Sequence, residues 1–265
     1  MLVYVFSYDR PLQLEAALRS FKEFSKGQHR IVVNYATSRE DIRALYLQNA
    51  SESVDYVQRA NLNIEVKAAM EHNEFIMFLH DDFVFYRPFN PEDFIPLLTQ
   101  MDTYVSAPLH IGTNITHIRD MLVPPHELRE QIGPTDLRQE AGDILSWSWM
   151  PHMYSEYHYP VPLAATVFRT DVLLRNWGYV LNYATPNEVE IDLTNHDWPP
   201  RMVSYTQSVC YQVMDNQVCK DRAELDKRIE QFRQGYRIDT KALSDSVGTP
   251  NACAFVHDIP LRRVQ

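Results

Sequence analysis

Three polar residues in a row, His80, Asp81 and Asp82, end an apolar run from Phe75 to Leu79, and Phe83, Val84 and Phe85 turn apolar again at once. Two adjacent carboxylates at the mouth of a buried strand repel each other and lose hydration. The arrangement is costly unless a cation or a ligand's hydrogen-bond donors offset it. That cost marks a candidate site, and in α/β proteins ligands gather at the carboxyl ends of strands. An acidic turn that caps whatever follows is the alternative, and the pair alone leaves both open.

The elements that must hold these acids are legible around them. Leu2 to Phe6 is a short apolar strand, and Ser7-Tyr8-Asp9-Arg10-Pro11 turns it into a helix with Leu14, Ala17, Leu18 and Phe21 at helical spacing. Arg30 to Asn34 supplies a second strand, and Ser38 with Asp41 has capping-box spacing for a helix through Tyr46. Val54 to Val57 reads as a short edge strand, and 61–72 as a helix with Ile64, Ala68 and Ala69 inward. Asn90-Pro91-Glu92-Asp93 starts a further helix, and Tyr104 to Pro108 is a strand. This β-α-β opening predicts a parallel sheet with right-handed crossovers.

Beyond Pro108 the pattern loosens. Residues 109–160 read as a long irregular connection rich in aromatics, Trp147, Trp149, His152, Tyr154, Tyr157, His158 and Tyr159 among them. Such a segment is either a functional loop whose rings stack on sugar faces or the filling of a satellite core. Val161 to Phe168 is strand-like, Thr170-Asp171 caps a short helix, and Thr185-Pro186 starts another carrying Glu188, Glu190 and Asp192. Residues 202–213 suggest one or two strands, and 221–235 an amphipathic helix with Leu225, Ile229 and Phe232 on one face. The tail is weakly patterned until Ala254-Phe-Val-His257-Asp258.

Composition narrows the function class. A chain of 265 residues with 45% hydrophobic and 23% charged residues can bury a sizeable core. Seven glycines and no GxGxxG or Walker sequence leave no Gly-rich phosphate loop. A net charge of −10 argues against a nucleic-acid partner, and an acidic protein handling a phosphorylated ligand is expected to recruit a divalent cation. Cys210, Cys219 and Cys253 lack CxxC spacing, so neither a disulfide framework nor a zinc site is indicated, and a reducing, cytoplasmic setting fits. The opening turns polar after six residues and reads as a strand, not a signal peptide, and no apolar run reaches membrane-spanning length.

In the order of these elements the chain resembles the GT-A glycosyltransferases, particularly family-2-like inverting enzymes. The stretch Val5-Phe-Ser-Tyr-Asp-Arg-Pro11 resembles their nucleotide-contacting first loop, and Ile31 to Asn34 their second strand, with Asn34 in place of an acid that reads the base. Phe78-Leu-His-Asp-Asp82 stands where the DXD motif belongs, with His80 in the first position. Pro162 to Asp171 followed by Glu188-Val-Glu-Ile-Asp-Leu193 is similar to the acceptor-side strand and acidic helix.

The resemblance implies an α/β fold with a mixed, mostly parallel sheet flanked by helices. It implies one GT-A-type domain over 1–265, divided into a nucleotide-sugar half (1–108), an acceptor half (109–220) and a C-terminal helix and tail (221–265). It implies a transferase that takes a UDP- or GDP-sugar donor and a glycan or lipid-linked acceptor, cytoplasmic or peripheral to a membrane. Asp82 would hold Mn²⁺ or Mg²⁺, with His257 as a further ligand. Ser7, Asp9, Arg10, Asn34, Lys67 and Asp81 would meet the nucleotide. Glu190, with Glu188 and Asp192 as substitutes, would be the general base of an inverting displacement. A nucleotidyltransferase and a non-catalytic sugar- or nucleotide-binding derivative of the fold are the alternatives.

Overall fold

The computed structural model describes residues 1–48, 50, 52–119, 128–130, 132–149, 155–178, 183–213, 222–247 and 259–264. The chain opens with β1 (Leu2–Tyr8), α1 (Pro11–Phe24), β2 (Arg30–Ala36), α2 (Glu40–Gln48), β3 (Val54–Gln58), α3 (Leu62–Glu71) and β4 (Phe75–His80). Next come β5 (Phe83–Phe85), a 3₁₀ turn at Pro91–Phe94 running into α4 (Ile95–Leu98), β6 (Tyr104–Pro108), β7 (His117–Arg119), β8 (Leu128–Glu130), β9 (Thr135–Ala141) and β10 (Ile144–Ser148). The remainder is β11 (Thr166–Arg169), α5 (Thr170–Trp177), α6 (Pro186–Thr194), β12 (Arg201–Tyr205), β13 (Cys210–Gln212), α7 (Arg222–Arg233), β14 (Tyr236–Ile238), α8 (Thr240–Val247) and β15 (Leu261–Arg263).

Nine strands form one mixed sheet in the order β3-β2-β1-β4-β11-β6-β12-β10-β9. β3, β2, β1 and β4 are mutually parallel; β11 runs antiparallel between β4 and β6, and β10 runs antiparallel between β12 and β9. The two faces separate by the period-2 alternation of the central strands. Val3, Val5, Met77 and Leu79 pack with α1, α2, α7 and α8. Leu2, Tyr4, Phe6, Ile76 and Phe78 pack with α3, α5 and α6. Apolar residues on both faces explain why β1 and β4 read as unbroken apolar runs. The α/β class and the mixed, helix-flanked sheet therefore agree with what the resemblance implies.

Three expectations change, and one alternative that the sequence leaves open resolves for the described rings. Residues 109–160 are not one irregular connection: β9 and β10 form a hairpin that extends the main sheet, turning at Gly142, whose φ of 56° suits a residue without a side chain. Of the aromatic cluster, Trp147, Tyr157 and His158 are buried, and the Trp147 indole donates to the Tyr157 carbonyl at 2.7 Å. These rings fill a core; His152 and Tyr154 lie outside the described residues. In α3 the inward face is Leu62, Val66 and Met70, spaced four apart, while Ile64 is 67% exposed. Ser38 does not build a capping box on Asp41, because its amide and hydroxyl both donate to Asp9.

Candidate active site at the carboxyl ends of the parallel strands

β1 and β4 lie side by side with Phe6 opposite His80, so the polar ends of both strands meet. Ser7, next to last in β1, donates its hydroxyl to Asp81 Oδ2 at 2.7 Å, and the Tyr8 amide approaches the same oxygen at 3.3 Å. Because the Ser7 proton is committed, the Tyr46 hydroxyl, 2.7 Å away, donates to Ser7 Oγ. Tyr46 accepts in turn from the Arg10 amide at 3.0 Å. A chain of hydrogen bonds thus runs from the start of α1 through α2 to the acid pair. The turn that brings Arg10 round is set by Asp9, which sits at φ 54° and has its carboxylate held by Ser38.

Arg10 then folds back over both acids. Its two terminal nitrogens lie 2.7 Å from Asp81 Oδ1 and 3.0 Å from Asp82 Oδ2, and the latter oxygen also accepts from Gln212 at 3.1 Å. Both carboxylates are buried. The two acids hold the Arg10 guanidinium firmly protonated against the burial that opposes it. Burial pushes Asp81 up, with Arg10 pulling the other way. Among the described residues four buried polar atoms here have no hydrogen-bond partner: Arg10 Nε, Asp82 Oδ1, His80 Nε2 and Asp81 Oδ1, the last meeting Arg10 only as an ion pair. Burial lowers His80 to about 4, so its imidazole is neutral at physiological pH. His110, edge-on to Phe83 at 5.5 Å, is likewise lowered to about 4 by burial.

Above this assembly opens a pocket of about 380 Å³, lined by Ser7, Tyr8, Arg10, Arg59, His80 and the 184–187 start of α6. A second hollow of about 290 Å³ shares Arg59 and Ala184 with it. Arg59 follows β3, and Asn34 positions it: the guanidinium donates to Asn34 Oδ1 at 2.7 Å and to the Asn34 carbonyl at 3.3 Å. The Asn34 amide donates to Glu65 at 2.6 Å. Asn34 is fully buried with its side chain committed on both ends, so it holds Arg59 at the pocket rather than facing a ligand itself. Lys67 is an exposed residue of α3 and pairs with Glu71 at 3.8 Å, away from both hollows.

On α6, Thr185 and Glu188 form a capping box, which accounts for Glu188. Glu190 lies one turn beyond Pro186 and Asn187 and accepts from the Leu163 amide. Burial pushes its carboxyl up to about 8, the Leu163 amide opposing and Glu156 adding. Tyr159 is raised by burial and by the same Glu190. Asp192 is 4.0 Å from His196.

The structure thus brings together Ser7, Arg10, Asp81 and Asp82; Glu190 stands on the helix whose start lines the pocket, but turns to the Leu163 amide and lines neither hollow. Tyr46, Arg59 and Gln212 join the site without having been singled out from sequence. His257 lies outside the described residues.

The acid pair has the chemistry of a seat for Mn²⁺ or Mg²⁺. Carboxylate oxygens are the donors these ions take, and Asp82 Oδ1 is a buried acceptor without a partner among the described residues. Among the described residues no group of three or more His, Cys, Asp or Glu is placed to hold an ion, so the protein offers the acid pair alone. The donor chemistry fits a cation bound by two carboxylates plus groups of a ligand, at the position that Arg10 now holds.

No protein-family model matches the sequence, and no curated protein matches it either. Among solved structures, the chain is similar to residues 1–349 of S. aureus TarS, at TM-score 0.45 and 12% identity, with 88% of this chain and 70% of that one covered. The same TarS fragment is known with UDP and with UDP-GlcNAc. The chain is also similar to the mannosyltransferase PcManGT from Pyrobaculum calidifontis in complex with GDP-Man and Mn²⁺, at TM-score 0.43 and 11% identity, covering 82% and 58% of the two chains. A third likeness is to 4-diphosphocytidyl-2C-methyl-D-erythritol synthase from Anaerococcus prevotii, at TM-score 0.38 and 10% identity, covering 88% and 96%. These are likenesses of overall shape.

Proposed function

We propose that this chain is a glycosyltransferase that takes a sugar from a nucleoside-diphosphate donor, UDP- or GDP-linked, to a hydroxyl of a glycan or lipid-linked acceptor. The observation that carries the reading is the placement of Arg10 and Arg59 around a pocket at the carboxyl ends of β1, β2, β3 and β4, with the buried acid pair held behind Arg10. A diphosphate leaving group gains negative charge as the anomeric bond breaks, and the Arg59 guanidinium, fixed by Asn34, is preorganised to meet it. Glu190 serves as the base: its carboxylate takes the acceptor hydroxyl's proton as the acceptor oxygen bonds to the anomeric carbon and the diphosphate oxygen departs. One displacement of this kind inverts the anomeric centre. Asp82 and Asp81 would hold a divalent ion, which when bound supplies charge neutralisation at the phosphates.

The division into a donor half (1–108), an acceptor half (109–220) and a C-terminal part belongs to this reading, as does a cytoplasmic or membrane-peripheral setting. Among the described residues no helix is long and apolar enough to cross a membrane. The test is calorimetric titration with UDP, GDP and CMP followed by donor-sugar turnover with Mn²⁺ present. Saturable binding of one nucleoside diphosphate, weakened at least tenfold by Arg59→Ala, and sugar release lost in Glu190→Gln are the expected results. No binding of any of the three removes the reading; binding without turnover selects a non-catalytic nucleotide-binding protein instead.

A further inference from the structure

The acid pair already has a cation, and it belongs to the chain. Arg10 spans Asp81 and Asp82 at 2.7 and 3.0 Å, while its backbone amide is fixed by Tyr46 and its helix is entered through Pro11 at the first position. Two features say that this pairing is not closed. Among the described residues Asp82, 5% exposed, still leaves Oδ1 without a hydrogen-bond partner, and Arg10, whose side chain is 13% exposed, leaves Nε without one. A buried carboxylate oxygen and a buried guanidinium N–H that both lack partners mark a pairing that satisfies charge but not hydrogen-bonding capacity. Arg10 also lines the pocket. Its head group therefore has somewhere to go.

We propose that Arg10 is a displaceable counter-ion: a divalent cation and the Arg10 guanidinium exclude each other at Asp81 and Asp82, and cation entry releases Arg10 into the pocket. The inference rests on taking the acid pair as a cation seat and adds what governs its occupancy. Charge favours the exchange when a phosphorylated ligand is present. With Arg10 on the acids, the other guanidinium lining the pocket is that of Arg59, which Asn34 holds in place. With a divalent ion on the acids their two charges are balanced, and both guanidinium groups are left for phosphate oxygens. Cation and phosphate ligand should then bind with positive cooperativity, while cation alone binds weakly because it must break two buried ion pairs.

Mn²⁺ titration followed by electron paramagnetic resonance, with no nucleotide present, reads the competition directly. Arg10→Ala is expected to bind one Mn²⁺ at least tenfold tighter than the unaltered protein, and Mn²⁺ is expected to raise its melting temperature more. The double change Arg10→Ala with Asp82→Asn should lose the site. Equal Mn²⁺ affinity with and without Arg10 overturns the competition while leaving a cation seat. Absence of Mn²⁺ binding in both overturns the seat and the proposal with it. If Arg10→Ala does not fold, ¹⁵N-detected NMR of the arginine Nε–H in the unaltered protein decides: a signal assigned to Arg10 must shift as Mg²⁺ is added, and an unmoved signal while Mg²⁺ binds refutes displacement.

Discussion

Glu190 links the site to the stability of the fold through its proton. Its carboxyl is raised from 4.5 to about 8, chiefly by burial. A carboxyl raised in the native state keeps its proton after the unfolded chain has released its own. From pH 4.5 to 8 the native state binds more protons than the unfolded one, so stability falls as pH rises through this window and levels off above it. At about 1.4 kcal/mol per unit the full shift is on the order of 5 kcal/mol. Because the side chain keeps partial contact with solvent, about half of that is the realistic size, which is roughly 5–8 °C in melting temperature for a chain of this length. Glu190→Gln retains an oxygen for the Leu163 amide but has no charge to bury. The two proteins should melt alike near pH 5, and the variant should be the more stable by several degrees at pH 9. Thermal unfolding followed by circular dichroism from pH 5 to 9 measures this. Parallel curves across that range would refute the argument that Glu190 is held protonated by its surroundings. Turnover should run the other way, rising towards pH 8 as the base loses its proton and vanishing in Glu190→Gln.

Tyr46→Phe leaves the Arg10 amide without its acceptor and Ser7 Oγ without a donor; a loss of about 1–3 kcal/mol is expected in urea unfolding, together with weaker nucleotide binding. Gly112→Ala puts a Cβ 2.4 Å from the Ser208 amide nitrogen and 2.7 Å from the Gln207 Cα. Since backbone cannot step aside, about 3 kcal/mol or more should be lost, while Gly133→Ala, which meets nothing within 4 Å, should melt unchanged. Asn34→Asp replaces the amide now 2.6 Å from Glu65 with a second carboxylate. It should lower the melting temperature at pH 7 and recover on acidification, and a variant as stable as the parent at both pH values would contradict the assigned role of Asn34.

The sequence carries the strand ends well because they are discontinuities: five apolar residues stopping at His80-Asp81-Asp82 can be seen without any structure. The helix starts at Pro11, Asn90 and Thr185 are equally local, each using a proline at the first position and the latter two a capping side chain. What stays hidden is non-local. Arg59, Tyr46 and Gln212 reach the site from β3, α2 and β13, and nothing in their own neighbourhoods distinguishes them from surface or core residues. Asn34 was singled out by position, but its task is set by Arg59 and Glu65, 25 and 31 residues away. The β9–β10 hairpin escapes because β9, largely exposed, lacks a strand's apolar face, leaving Gly142 as its one local signal. The β14–β15 pair joins segments more than twenty residues apart.

The location of the site follows from topology more than from residue identity. β2 and β3 are laid down on one side of β1, and α1 and α2 cover one face as right-handed crossovers require. β4 is then placed on the other side of β1, so α3 must cross the opposite face, where its apolar residues are found. Between β1 and β4 the covering layers part, and the carboxyl ends of both strands open into the same crevice. Polar residues ending those two strands are therefore forced together whatever their identity. Putting Asp81 and Asp82 there without a cation would leave two buried like charges, so Arg10, the third residue after Ser7, is a condition for the fold as well as a component of the site. If that is so, Asp81→Asn, which removes one charge and keeps an oxygen for Ser7, should be tolerated far better than Arg10→Ala. A greater loss of melting temperature in Asp81→Asn than in Arg10→Ala would show that the acid, not the guanidinium, is the member the fold depends on.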